Sequence, residues 1–239
     1  MEYRDRVAES SRLVEAYAMF IAPRAAESLR TQIRCGEPAL AVEELASWLV
    51  RGRIALAAGD AMAFRRLLRG YELCPDTGPD IADRLLFGAG PPGGYSFDFH
   101  DESDPAAVAS AVAEVFAVPR DRIRVLVNDR SSPESAEEPI ALVSQSPGSI
   151  GFEAGTEFGT HVGGASVLDV AKALCAAMGS GAMLRPRGLD LNERVYVSAA
   201  GGHGVVVLDG AETEPRRWIL FACEPISGAP DLRLFGFDA

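Results

Sequence analysis

Histidines, cysteines and clustered carboxylates carry most protein chemistry, and this sequence uses them sparingly. Its three histidines are His100, His161 and His203, and each falls in a segment that reads as a turn or a strand end. His100 lies within Phe97-Asp98-Phe99-His100-Asp101-Glu102-Ser103-Asp104. An oxygen-rich run of that kind can bind a divalent cation. It lacks the Asp-x-Asp-x-Asp-Gly spacing of a calcium loop and the paired histidines of a zinc helix. It reads as a solvated strand-to-helix turn, and no metal is assigned. Gly159-Thr160-His161-Val162-Gly163-Gly164-Ala165-Ser166 precedes an apolar run, and free N–H groups at a helix start can hold an anion. A Walker A loop would end in Gly-Lys-Ser/Thr, whereas Lys172 comes far too late, and the Rossmann Gly-x-Gly-x-x-Gly is absent. These glycines read first as a tight turn beneath a helix.

Nucleophilic catalysis has no footing either. There is no Gly-x-Ser-x-Gly elbow. Cys175 falls in the middle of a predicted helix and Cys223 at the end of an apolar strand, settings that do not activate a thiolate. Asp98, Asp101, Glu153 and Glu157 could form a carboxylate pair for acid–base work, a separation that spacing leaves open. The chain is therefore read as a non-enzyme without a cofactor. The alternative reading is a small-molecule-acting enzyme of the C-terminal half, with its site near Gly163, Gly164 and Ser166.

The elements that position these residues follow two periods. Residues 4–20 and 24–34 read as helices. So does the stretch 36–50, where Ala41, Leu45, Trp48 and Leu49 share a face, Glu43 projects from the opposite side and Glu44 lies on the flank. Asp60 is placed as the N-cap of a fourth helix, with Phe64, Leu67, Leu68 and Tyr71 inward and Arg65, Arg66 and Arg69 on the other side. Residues 81–87 form a fifth. Gly88-Ala89-Gly90-Pro91-Pro92-Gly93-Gly94 is a linker.

Beyond it the period shifts toward 2. Strands are predicted around 95–99, 123–127, 140–144, 149–153, 183–184, 194–198, 205–208, 218–222 and 232–235. Helices over 105–116, with Val108, Val112 and Val115 inward, and 166–178 start at the caps Asp104 and Ser166. The fold class is α+β: an N-terminal all-α helical bundle (1–87), the linker (88–94), then an acidic domain (95–239) with a mostly antiparallel sheet and two helices.

Composition excludes several classes. The 239 residues carry a net charge of −11, and no basic patch is evident, so nucleic acid is not an expected partner. No run of about 18 apolar residues exists, so no membrane span is expected, and the charged N-terminus lacks the apolar core of a secretory signal. Cys35, Cys74, Cys175 and Cys223 are scattered. They predict small buried residues in a reducing cytoplasm, not a zinc site or disulfide framework. Residues 1–94 hold 13 acidic and 12 basic side chains, whereas residues 95–239 hold 21 and 11.

The bundle carries a resemblance. Gly36-Glu37-Pro38, Leu40-Ala41-Val42-Glu43 and Leu45 are followed by a break through Leu56, then by the helix of Phe64 and Leu67-Leu68. With the upstream Ile33-Arg34-Cys35, this resembles the MafI-type immunity family over roughly residues 10–86. The resemblance implies a cytoplasmic bacterial immunity protein that neutralises a cognate toxin by occlusion. Its partner would be the toxin domain, possibly a basic nuclease-like one, with no nucleic acid or membrane involved. Exposed acidity then nominates toxin contacts: Glu37, Glu43 and Glu44 in the bundle, Asp98, Asp101, Glu102 and Asp104 beyond the linker, and Glu134, Glu137 and Glu138 in the acidic loop.

Overall fold

The computed structural model describes residues 3–52, 54, 56–57, 59–71, 81–87, 94–99, 103–127, 130–131, 138–146, 149–186, 189, 192–209 and 219–234. The chain divides into two compact units: Met1–Ala89 with Arg187–Asp190, and Gly90–Pro186 with Leu191–Ala239. Of the predicted linker, residues 88–93 lie outside the described residues.

The first unit contains five helices among its described residues: α1 (Tyr3–Tyr17), α2 (Pro23–Arg34), α3 (Pro38–Gly52), α4 (Asp60–Gly70) and α5 (Ile81–Phe87). Pro23 and Pro38 open α2 and α3, where a missing N–H removes no helical hydrogen bond. The central helix is α3, which packs against α1, α2, α4 and α5. That surround corrects the expected orientation of Glu43. Ala41, Val42, Leu45, Ala46, Leu49 and Val50 are all buried, and Glu43, at 5% exposure, is buried with them. The stripe Val42, Ala46 and Val50 widens the apolar arc until it reaches Glu43. Trp48, placed on the same face as Ala41, Leu45 and Leu49 by sequence, is only half-buried and lies under the Arg51 guanidinium, 4.9 Å from the ring centroid.

Three other bundle expectations change. Gly59, at φ 81°, precedes α4, and Asp60 is its first residue, not its cap. The Asp60 carboxylate instead accepts from Tyr17 Oη (2.9 Å) and Arg12 Nη2 (2.7 Å). Arg65, expected on the outer side, is 1% exposed and donates from Nη1 to Asp83 Oδ1 of α5 at 2.5 Å. Cys35 is exposed, Cys175 buried and Cys223 half-buried, and Cys74 lies outside the described residues, so the expectation of buried cysteines holds at Cys175 and fails at Cys35.

The second unit is one mixed, mostly antiparallel sheet. Its strands are β1 (Tyr95–Phe99), β2 (Ile123–Val127), β3 (Arg130–Ser131), β4 (Ala141–Ser146), β5 (Ser149–Ala154), β6 (Ala182–Leu184), β7 (Glu193–Val197), β8 (His203–Leu208) and β9 (Ile219–Ala222). They lie in the order β3-β2-β4-β5-β1-β6-β7-β8-β9, and β2 with β4 is the parallel pair. Its helices are α6 (Pro105–Phe116), α7 (Thr156–His161) and α8 (Val167–Met178). The third, α7, was not expected: six residues with a central glycine are too short to show a period. Val115 is 38% exposed, so the α6 face is narrower than its valine spacing implied. The strand expected at 232–235 is, within the described residues, a single parallel bridge between Ala222 and Leu234.

Helices α6, α7 and α8 pack on the sheet. Beneath them Phe97, Phe99 and Phe152 are buried. Phe158 of α7 sits edge-on to Tyr95, Phe116 and Phe152 at 5.1, 5.4 and 5.5 Å between centroids, arrangements that suit the aromatic quadrupole.

Candidate functional site

Because side chains alternate across a strand, residues beside the buried phenylalanines point to the sheet's other face. Strand pairing sets them in rows. One row runs Arg124, Leu142, Glu153, Ser96 across β2, β4, β5 and β1. The next runs Leu126, Ser144, Gly151, Asp98, Met183, Tyr196, Gly204 from β2 to β8.

This face is treated differently at its two ends. Over β6–β9 the chain covers itself. Ile226 joins Met183, Val206, Leu208 and Ala222 in a core cluster that Ala229, Leu232 and Leu234 pack against. The covering segment is seated closely: Ser198 Oγ donates to the Ser227 carbonyl at 2.6 Å, and a Cβ on Gly202 would meet that carbonyl oxygen at 2.0 Å. Over β2, β4, β5 and β1 the face is open. Ser96, Asp98 and Glu153 are exposed, and Arg124, Leu126, Leu142, Ser144 and Gly151 are half-buried. The result is a shallow platform with Leu142, Ser144 and Gly151 near its centre, Arg124 and Leu126 at its β2 side and two carboxylates at its β5–β1 side. The aromatic packing behind it holds β1 and β5 in place.

The nominated contact residues are not gathered into one site. Asp98 lies on the open face. Asp104 is exposed at the start of α6, where its Oδ1 accepts from the Ala106 N–H at 3.0 Å, as a cap should. Glu138 is exposed just before β4. Because β1 and β4 run in the same direction, Asp104 follows the far end of β1 while Glu138 precedes the near end of β4, so the two flank opposite ends of the sheet. In the bundle Glu37 is exposed, Glu44 accepts from Gln32 Nε2 at 2.8 Å, and Glu43 is buried. Asp101, Glu102, Glu134 and Glu137 lie outside the described residues. Of the carboxylates considered for acid–base pairing, Asp98 and Glu153 share the open face on neighbouring strands, two positions out of register. Glu157 instead accepts from Arg122 Nη2 at 2.7 Å.

The glycine turn at the start of α8 has its own accounting. The N–H groups of Gly163, Gly164 and Ala165 donate to the carbonyls of Thr160, Gly159 and Val162, so these three donors are used inside the turn. The α8 start is capped by Ser166 Oγ, which accepts from the Asp169 N–H at 3.1 Å and donates to the Asp169 carboxylate at 2.7 Å. A carboxylate thus stands where an anion would be drawn. Tyr95 Oη donates to the Ala165 carbonyl at 2.8 Å, and burial pushes the Tyr95 phenol up. The turn is built as a joint between α7 and α8. Among the described residues no group of three or more His, Cys, Asp or Glu is arranged to hold a metal, and no helix is long and apolar enough to cross a membrane.

The strands β2 and β4 were visible in the sequence. The residues missed there, Arg124, Leu126, Leu142 and Ser144, needed the parallel β2–β4 pairing to be placed side by side. Comparison with known proteins finds no matching family model, no similar curated sequence and no similar solved structure.

Proposed function

We propose that this chain is a bacterial immunity protein that binds a cognate toxin and neutralises it by occlusion. The observation that carries the reading is the coincidence of charge and open surface in one unit. Residues 95–239 hold 21 acidic against 11 basic side chains, all but Arg187 and Asp190 in the sheet unit, and among the described residues no segment covers the sheet face over β2, β4, β5 and β1. An open face that mixes leucines with serines, an arginine and two carboxylates suits protein recognition, and excess negative charge accelerates encounter with a basic partner. Occlusion asks only for tight, complementary contact over about 800 Å² per partner. The resemblance of residues 10–86 to MafI-type immunity proteins motivates the same reading from the other unit.

The test is co-expression with the product of an adjacent toxin gene. Under this proposal the neighbour arrests growth alone and loses toxicity when this chain is present, and the two co-purify. A neighbour that is harmless, or equally toxic with and without this chain, refutes the proposal.

A further inference from the structure

Arg124 and Glu153 stand in one row of the open sheet face, on β2 and β5, with Leu142 of β4 between them. Adjacent strands are about 4.8 Å apart, so the two backbone positions are separated by roughly 10 Å. Neither side chain forms an ion pair or a hydrogen bond with another described residue. From β2 to β5 the row therefore reads cation, leucine, anion. The next row on the same three strands, Leu126, Ser144 and Gly151, carries no charge. A face ordered in this way can be complementary to itself. Two such faces can meet about a two-fold axis that lies between them. An axis running along β4 exchanges the β2 side with the β5 side. It sets Arg124 of each copy against Glu153 of the other, and Leu142 against Leu142. An axis running across the strands would set Arg124 against Arg124 and Glu153 against Glu153. The charges thus select one arrangement and reject the other.

We infer that two copies of this chain pair through this face, with the two-fold axis along β4 and two reciprocal Arg124–Glu153 ion pairs. Such an interface presents the same patch from both copies, as a closed two-fold dimer requires. Sheets packed face to face lie about 10 Å apart, a gap that an arginine and a glutamate reaching from opposite sides can span. Half-buried Leu126 and Leu142 supply apolar surface on either side of the axis. Asp98 of β1 falls opposite β3 of the other copy, outside both ion pairs. The four strands, at about five residues each, cover roughly 300 Å², short of the about 800 Å² per partner of a standard interface. The dimer is accordingly weak and reversible, half-formed at roughly 100 µM. The net charge of −11 on each copy opposes association, but at 0.15 M salt charges are screened over about 8 Å and the short reciprocal pairs prevail. The pairing does not rest on the immunity reading. It adds that a second copy and the toxin take the same face in turn.

Sedimentation of the full chain in 0.15 M salt, from about 10 to about 500 µM, reads the association directly. A reversible monomer–dimer equilibrium is expected, and a parent that stays monomeric throughout overturns the proposal without any variant. Arg124→Glu and Glu153→Arg, each alone, set like charges against each other and should weaken the dimer at least tenfold. The double variant R124E/E153R restores both pairs and should return to within about threefold of the parent. Mixing the two single variants is the sharper arm. In the mixed pair the R124E copy supplies two carboxylates and the E153R copy two guanidinium groups, so both contacts form again. Association of the mixture at near-parent affinity, where neither variant associates alone, also shows that both are folded. A parent dimer that neither single variant weakens, or a mixture that stays monomeric, overturns the arrangement. Failure of the immunity reading is a different result. A chain that dimerises in this way but gives no protection against its neighbour keeps the dimer and loses that reading. A chain that protects but never dimerises keeps the reading and loses the dimer.

Discussion

At the scale of single residues, Tyr17 shows how a buried polar group ties the bundle together and how pH would release it. Its hydroxyl donates to Asp60 Oδ2 at 2.9 Å and accepts from the Ala57 N–H at 2.7 Å. One phenol thereby fixes the segment between α3 and α4 against α1. Burial pushes the Tyr17 pKa up to about 12, and the hydrogen bond to Asp60 adds to the rise while the Ala57 N–H opposes it. An unfolded tyrosine titrates near 10. Below that pH both states keep the proton and the contribution is complete. Between about 10 and 12 the unfolded state loses its proton first, so stability falls as pH rises, by about 2 kcal/mol over the window. Tyr17→Phe cannot titrate. It should be less stable than the parent at pH 8 by about 1–2 kcal/mol, and the gap should close as pH approaches 12. Urea unfolding of both proteins at pH 8, 10 and 11.5 measures this, and a gap that stays constant with pH would show that Tyr17 does not govern the window. None of this network was legible in the sequence. Asp60 read as a helix cap because Asp before an apolar helix usually is one. Its partners, Tyr17 and Arg12, lie 43 and 48 residues away, beyond the reach of local spacing.

Among the elements, legibility followed whether the information was local. Helices α1 to α5 and the start of α6 and α8 were visible because 3.6-residue spacing, Pro at a first turn and Asp or Ser at a cap are all written within a few residues. What the spacing could not show is how many neighbours a helix has. With four partners, α3 buries Glu43. With α5 lying against α4, Arg65 is drawn inside to Asp83, although it stands beside two exposed arginines in an apparently solvated row. The order of the sheet was likewise hidden. The first strand in sequence sits between β5 and β6, where it packs on α8 and its Tyr95 meets Phe158 of α7, neighbours that lie far along the chain. The Arg65–Asp83 pair permits a test of the α4–α5 contact. Asp83→Ala leaves a buried guanidinium without that carboxylate and should cost about 3 kcal/mol, whereas Arg65→Met, which removes the buried charge and keeps much of the volume, should be near neutral. Equal destabilisation by both would mean that the ion pair itself stabilises the contact beyond what an apolar side chain of similar volume supplies. Thermal unfolding of the two variants separates these outcomes.

Across the whole molecule the two units differ in how they dispose of charge. In the bundle, carboxylates are largely matched locally. Glu15 and Glu27 pair with Arg30, Glu27 also with Arg34, Glu9 and Asp60 with Arg12, and Asp83 with Arg65. Exposed pairs of this kind add little stability, but they cancel the field they would otherwise project. The sheet unit cannot do this, because residues 95–239, all of whose charges but Arg187 and Asp190 belong to it, hold 21 acidic side chains for 11 basic ones. At physiological salt, charges are screened over about 8 Å, so a docking partner senses the patch nearest its approach and not the total charge of the chain. Two variants with the same change in net charge therefore separate the units. One carries Asp98→Asn and Glu153→Gln, the two exposed carboxylates of the open sheet face. The other carries Glu15→Gln and Glu37→Gln, exposed in the bundle. With the toxin identified by co-expression, stopped-flow association in 0.15 M salt should be slowed about tenfold by the first set and less than twofold by the second. Dissociation should change little in either. Equal slowing would assign the attraction to total charge and not to a face. Slowing by the bundle set alone would move the docking surface to the helices.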